Sequence, residues 1–264
     1  MIEIISNFDS NYPEDPIRFF NFEKYSSTIN NYKLFIGASP HNSIKEFSNV
    51  PKFFLSTEEQ TWDLDSTDNY LDYVENIYTI CPPKITNRKK RISTFFPIDS
   101  EIIPKNVGKI YDVIYCGFAL SSHVHEIVDV LPKFNYRFVS FKNQTGLETN
   151  INVSYLEKIK LISESKISVI HNLAGNGTPQ LKSRPFESAL CKSLILCKKD
   201  EWNIIDEWFE KDKEYISFEN GEDLKNKISN ILSNFESFKL IIENAYNKAI
   251  NNYTSEKFIQ KNFI

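Results

Sequence analysis

Lys182, Arg184 and Glu187 carry the clearest chemical pattern in the sequence, within the run Lys-Ser-Arg-Pro-Phe-Glu. The two cations fall close to the start of an expected helix, whose N-terminus adds partial positive charge. Together they can hold a diphosphate: arginine grips phosphate oxygens as a fork, and lysine acts as a point charge. Glu187, in the first helical turn, can accept two hydroxyl hydrogen bonds from a ribose. The competing reading is a solvated Lys-Arg pair and a glutamate that merely favours a helix start, because this spacing is common by chance.

The elements around them read as strand, loop, helix, strand. Ser168-Val169-Ile170 is a short apolar run, and Ala174 to Pro179 is dense in turn formers. Arg184 to Lys192 has helical spacing, with Phe186, Leu190 and Cys191 on one side, and Ser193 to Cys197 is a second apolar run. A β-α-β unit of this kind builds parallel sheets, in which ligands bind at the carboxyl ends of the strands. The loop from His171 to Pro185 sits at such an end. Upstream, Asp112 to Gly117 reads as a strand, followed by a helix that Ser121 and Ser122 can cap. His123 and His125 lie in its first turn. His123 can donate to a phosphate, against the plainer reading of a surface histidine. Tyr136 to Phe141 alternates as a strand, with Lys142 at its end, in reach of phosphates. Tyr155, Leu156, Ile159 and Ile162 predict a core-facing helix. Beyond Asp200, apolar spacing predicts a helix over 202–209, a short strand at 215–218 and two terminal helices.

The first hundred residues carry apolar runs at Met1–Ile5, Lys33–Gly37, Lys52–Ser56 and Ile77–Cys81, with Phe19 to Tyr25 expected as a helix ending near Ser27. That rhythm suits a small α/β domain. Glu58 and Glu59, after one strand, are candidates for acid, base or acceptor-binding work. A charged helix start is the alternative. Arg88 to Arg91 reads as a solvated basic loop, or as a contact for an anionic acceptor or a membrane surface. Pro104 and Gly108 interrupt the pattern. They predict a boundary between a small N-terminal domain, 1–105, and a C-terminal domain, 106–264.

Composition narrows the classes. The chain has 264 residues, a net charge of −4 and only seven glycines, which argues against a general nucleic-acid binder and a glycine-rich dinucleotide loop. Its four cysteines form no Cys-x-x-Cys pair, so buried free thiols in a reducing cytoplasm are expected. The start has no basic leader with an apolar core, and no apolar run approaches a membrane span, so membrane contact is expected to be peripheral at most.

The segment Lys182-Ser-Arg184-Pro-Phe186-Glu187-Ser-Ala189-Leu-Cys-Lys-Ser-Leu-Ile-Leu resembles the R-x-F-E-A-x-A-C-G-x-x-L-L signature of group 1 glycosyltransferase C-terminal domains. The resemblance covers roughly Tyr111 onward. It implies an α/β protein of the GT-B fold: two Rossmann-like domains facing across a cleft, the N-terminal one reduced. It also implies that Glu187 binds the donor ribose while Lys182 and Arg184 hold the diphosphate. Gly117 would lie by the donor or the cleft, and His171 and Asn172 would border base and sugar. Many relatives carry a Glu-x7-Glu pair whose first position falls here on Pro179, and Lys192 stands where the family has Gly. The expected function is hexosyl transfer from a nucleotide sugar to a glycan, lipid-linked or protein hydroxyl. Lys182 and Arg184 would stabilise the leaving group, and Glu58 is the candidate base. No metal or other cofactor is expected: Asp63 and Asp65 have the letters of a metal-using pair but sit in an acidic loop of the small domain. The alternatives are a non-catalytic nucleotide- or glycan-binding relative, or another phosphate-handling enzyme on a similar sheet.

Overall fold

The computed structural model of the chain describes residues 2–7, 16–25, 32–37, 42–46, 50–56, 70–80, 90–117, 122–140, 146–148, 153–174, 177 and 179–263. By contact the chain divides into two compact units. The first comprises Met1–Asp99, Gln180–Ser183 and Asn252–Ile264, and the second Ser100–Pro179 and Arg184–Asn251.

The first unit holds a parallel sheet of β1 (Ile2–Asn7), β2 (Tyr32–Gly37), β3 (Lys52–Ser56), β4 (Asn76–Thr79) and β5 (Arg91–Ser93), side by side in chain order. Successive side chains of a strand point to opposite faces. Accordingly Phe54 joins Phe35, Ile44, Val74 and Ile77 in one cluster, while its neighbour Phe53 meets Tyr78 and Phe263. Three of the expected strands correspond to β2, β3 and β4, and the first runs on to Asn7. Two readings change. Arg91, read as part of a solvated basic loop, starts β5 and pairs in register with Ile77. The helix expected over Phe19 to Ser27 is two short 3-10 turns, Pro16–Phe19 and Phe22–Lys24, broken at Asn21, which takes a positive φ of 50°.

The second unit carries β6 (Tyr111–Cys116), β7 (Tyr136–Val139), β8 (Ser165–Ile170), β9 (Leu194–Lys198) and β10 (Ile216–Phe218). The order in the sheet is β10-β9-β8-β6-β7, all parallel. Tyr115 of β6 faces Phe138 of β7 on one side and Val169 of β8 on the other. Its helices are α1 (Ser122–Val128), α2 (Tyr155–Ser163), α3 (Arg184–Leu190), α4 (Gly221–Ser233) and α5 (Lys239–Asn252). A sixth helix, α6 (Ser255–Phe263), packs in the first unit. Alternating apolar residues of the strands and one stripe of α4 (Leu224, Ile228, Ile231) pack together as a core on one face of the sheet. The expected 202–209 helix is reduced to a 3-10 turn at Ile204–Glu207. Among the described residues, no helix is long and apolar enough to cross a membrane.

Candidate functional site

In the second unit the strand order, counted from β6, is 2-1-3-4-5. The chain order reverses between the paired strands β6 and β8, and the carboxyl ends of strands at such a switch point are the place where open α/β sheets bind ligands. Gly117 follows β6 at that point and His171 follows β8.

Arg184, the first residue of α3, lays its guanidinium against Gly117. A Cβ at 117 would stand 2.9 Å from Nη2 and 3.0 Å from Nη1, and Gly117 has φ 149°. Only glycine leaves room for the cation so close to the backbone. The guanidinium carbon lies 5.9 Å from the Tyr115 ring centroid, and Nη1 is buried with no hydrogen-bond partner among the described residues. A guanidinium held on a ring and a backbone, with an unmet donor, is arranged for an anion.

Beneath it, Tyr115 Oη and His171 Nε2 are 2.8 Å apart, and the two rings stack at 5.9 Å with 16° between their planes. The Leu173 N–H donates to His171 Nδ1 at 3.3 Å. That bond needs a bare Nδ1, so the imidazole carries its proton on Nε2 and donates it to Tyr115 Oη. Burial pushes the Tyr115 hydroxyl up to about 12, with Arg184 partly opposing it. The phenol therefore stays protonated at neutral pH. Both Tyr115 and His171 are buried, so they support Arg184 from below.

Glu187 lies one turn further along α3 and is completely buried. Its Oε1 accepts from Tyr155 Oη at 3.1 Å and from Lys158 Nζ at 3.0 Å, both on α2. Its Oε2 is buried without a hydrogen-bond partner among the described residues. An unmet buried acceptor of this kind costs on the order of 1–3 kcal/mol, which a donor hydroxyl would relieve. Asn172, also fully buried, gives its amide to Cys197 Sγ at 3.5 Å and leaves Oδ1 unmatched among the described residues.

Of the residues marked in the sequence, the structure gathers Gly117, Arg184 and His171 about Tyr115, while Asn172 follows His171 in the chain and Glu187 lies one turn along α3 from Arg184. Lys182 is half-buried, donates to Gln180 Oε1, and belongs to the short segment that packs with the first unit. His123 stands in α1, but its side chain lies outside the described residues, as do Lys142, Glu58, Glu59, Asp63 and Asp65. No cluster of metal-binding side chains occurs among the described residues. Sequence reasoning missed Tyr115 and Lys158, and read Tyr155 only as core. The missed signal in α2 is a spacing: 155, 158, 159 and 162 share one helical face, so a lysine at 158 is a charge placed on the buried stripe. Leu156, expected in that stripe, is 47% exposed instead.

Comparison with known proteins agrees with this architecture. The sequence profile of a family described as glycosyl transferase-like matches residues 124–262, more than half of the chain. No protein of curated function matches the chain in sequence. Among solved structures, a G117R mutant of S. aureus TarM, in complex with Fondaparinux, alpha-GlcNAc-glycerol and UDP, superposes with a TM-score of 0.61 at 11% identity, covering 91% of this chain and 57% of TarM. Anabaena HepE in complex with UDP-glucose gives 0.63 at 12% identity, over 87% of this chain and 76% of HepE. A glycosyltransferase from Rickettsia africae gives 0.57 at 13%, over 97% and 82%. The chain therefore spans little more than half the length of TarM, and these likenesses establish its fold, that of GT-B glycosyltransferases. Profile and fold agree: the chain belongs to the glycosyl transferase-like family.

Proposed function

We propose that the chain transfers a sugar from a nucleotide-sugar donor to an acceptor hydroxyl, with the second unit holding the nucleotide. The observation that carries this reading is the Arg184 guanidinium seated on Gly117, with an Nη1 unmet among the described residues, at the carboxyl end of β6 where the sheet order reverses. In the reaction, the acceptor oxygen forms a bond to the anomeric carbon as that carbon's bond to the diphosphate breaks. Charge grows on the diphosphate, and a fixed cation stabilises it more in the transition state than in the bound donor. Arg184, with Lys182, supplies that charge in this proposal, so no metal is called for. Glu58 remains the candidate base for the acceptor proton. Glu187 marks the ribose position. HepE, TarM and the pneumococcal transferase GtfA were each solved with UDP, which makes a UDP-sugar the first donor to try.

The test is a thermal-shift panel of UDP, GDP, ADP, CMP and their common sugar conjugates. A ligand at about 100 times its dissociation constant adds roughly 2.7 kcal/mol. That corresponds to about 5–10 °C for a chain of this size. The responding nucleotide should then lose affinity in Gly117→Ala, because the added methyl displaces the guanidinium. A panel with no responder, or a Gly117→Ala variant that binds as before, overturns the reading. Release of free nucleotide from the conjugate, or transfer to an acceptor, separates the transferase from a binding protein.

A further inference from the structure

We infer that Tyr155 and Lys158 are positioning residues for Glu187, fixing its carboxylate so that Oε2 alone is presented to the ligand. The inference rests on the proposed role of Glu187 as the acceptor for a ribose diol. A carboxylate offers about four lone-pair sites, two on each oxygen. In this protein Oε1 takes two donors, the Tyr155 hydroxyl at 3.1 Å and the Lys158 ammonium at 3.0 Å. Both sites left open are on Oε2, which is buried and unmatched among the described residues. The usual picture of a diol bridging both oxygens is therefore closed off, and any hydroxyl that reaches Glu187 must meet Oε2.

The two donors come from residues three apart on α2, which lie on the same helical face. The ammonium sits 4.6 Å from the Tyr155 ring centroid, and Lys158 and Tyr155 are both buried. Two fixed donors on one oxygen stop the carboxylate from turning about its last torsion, so the direction of Oε2 is set before a ligand arrives. Such pre-setting lowers the ordering cost of binding. The rival is a buried ion pair that only ties α2 to α3, and a buried pair is by itself weak evidence for either role.

The experiment measures binding of UDP, GDP and ADP, and of their 2′-deoxy and 3′-deoxy forms, by titration calorimetry. The proteins are the wild type, Glu187→Gln, Tyr155→Phe, Lys158→Met and Lys158→Arg. The wild type should favour a ribonucleotide over at least one deoxy form by about tenfold or more, the size of one hydrogen bond to a charged group. Glu187→Gln should bring that ratio close to one. Tyr155→Phe, although its ligand-free melting temperature falls with the lost hydrogen bond, should still fold and lower the ratio several-fold, and Lys158→Arg should keep more of it than Lys158→Met. If Glu187→Gln collapses the ratio while folded Tyr155→Phe and Lys158→Met keep it, the positioning role is overturned and the ribose role stands. If the wild type binds none of the three diphosphates, or binds with no ratio, the ribose reading falls and this inference with it. Should Lys158→Met fail to fold, Tyr155→Phe decides alone.

Discussion

Lys109 shows how a single charge can be placed to serve backbone rather than ligand. Its ammonium donates to the carbonyls of Ser163 at 2.8 Å and Cys191 at 3.2 Å, so it closes the carboxyl ends of α2 and α3 together. Burial lowers its pKa from 10.5 to about 8. The neutral amine still has two hydrogens for the two carbonyls. Between about pH 8 and 10.5 the unfolded chain holds the proton and the folded chain does not, so this lysine's contribution makes stability rise with pH across that window. Urea midpoints at pH 8 and pH 10 should show that gain in the wild type relative to Lys109→Met, which lacks the titrating group. A difference that is constant between the two pH values would refute it. At this scale the sequence was partly legible. Arg184 and Glu187 stand out because their segment resembles a known signature and their charge is unusual beside an apolar helix. Lys158 and Tyr115 do not, because what makes them matter is a partner far away in sequence: Glu187, 29 residues from Lys158, and His171, 56 residues from Tyr115.

Elements were more legible than contacts. The strands β6, β8 and β9 are apolar runs buried on both faces, and such runs announce themselves. The three-residue β5, with Arg91 and Ser93 in it, carries too little apolar pattern to be read, and only its pairing with β4 defines it. The end of α3 is legible in another way, through Lys192. Lys192 adopts φ 52°, and the amides of Lys192 and Ser193 bond back to Ala189 and Ser188, closing the helix with a left-handed residue. A glycine fits that conformation without strain, and a lysine does not. The lysine is offset by its 2.8 Å ion pair with Glu243 and its position 4.3 Å from the Tyr246 ring centroid, both on α5. Lys192→Ala discards those contacts and keeps the strained backbone. Lys192→Gly discards them and relieves it, so the glycine variant should be the more stable of the two by about 1 kcal/mol. Equal melting temperatures for the pair would contradict the backbone argument.

The whole molecule is divided unevenly along the sequence. The first unit needs residues from the end of the described chain: Phe258 of α6 packs against Phe22 at 5.2 Å, Tyr78 at 5.3 Å and Phe95 at 6.0 Å, and Ser255 N–H bonds the Ile98 carbonyl at 3.0 Å. Phe258 is fully buried. Phe258→Ala should cost about 3–5 kcal/mol. The loss should appear in the first unit: hydrogen exchange should quicken in β3 and β4 while Cys116, Cys191 and Cys197, buried thiols of the second unit, stay protected from alkylation. Parallel loss in both units would show that they unfold as one. Aromatic richness near residues 19–25 and 253–263 is plain in the sequence, but that the two stretches share a core is not, because nothing local records a contact across more than two hundred residues.

The division also has a consequence for the order of events during synthesis. Residues 2–99 leave the ribosome before the second unit, yet their aromatic core waits for Tyr253 and Phe258. The second unit, apart from Arg184 to Asn251, has its strands β6, β7 and β8 in hand before then, and completes itself when α5 emerges. The earlier-made of the two units is thus the one finished later, and until α6 arrives it is the first unit's uncovered aromatic surface, with Phe53, Tyr78 and Phe95, that a chaperone would meet.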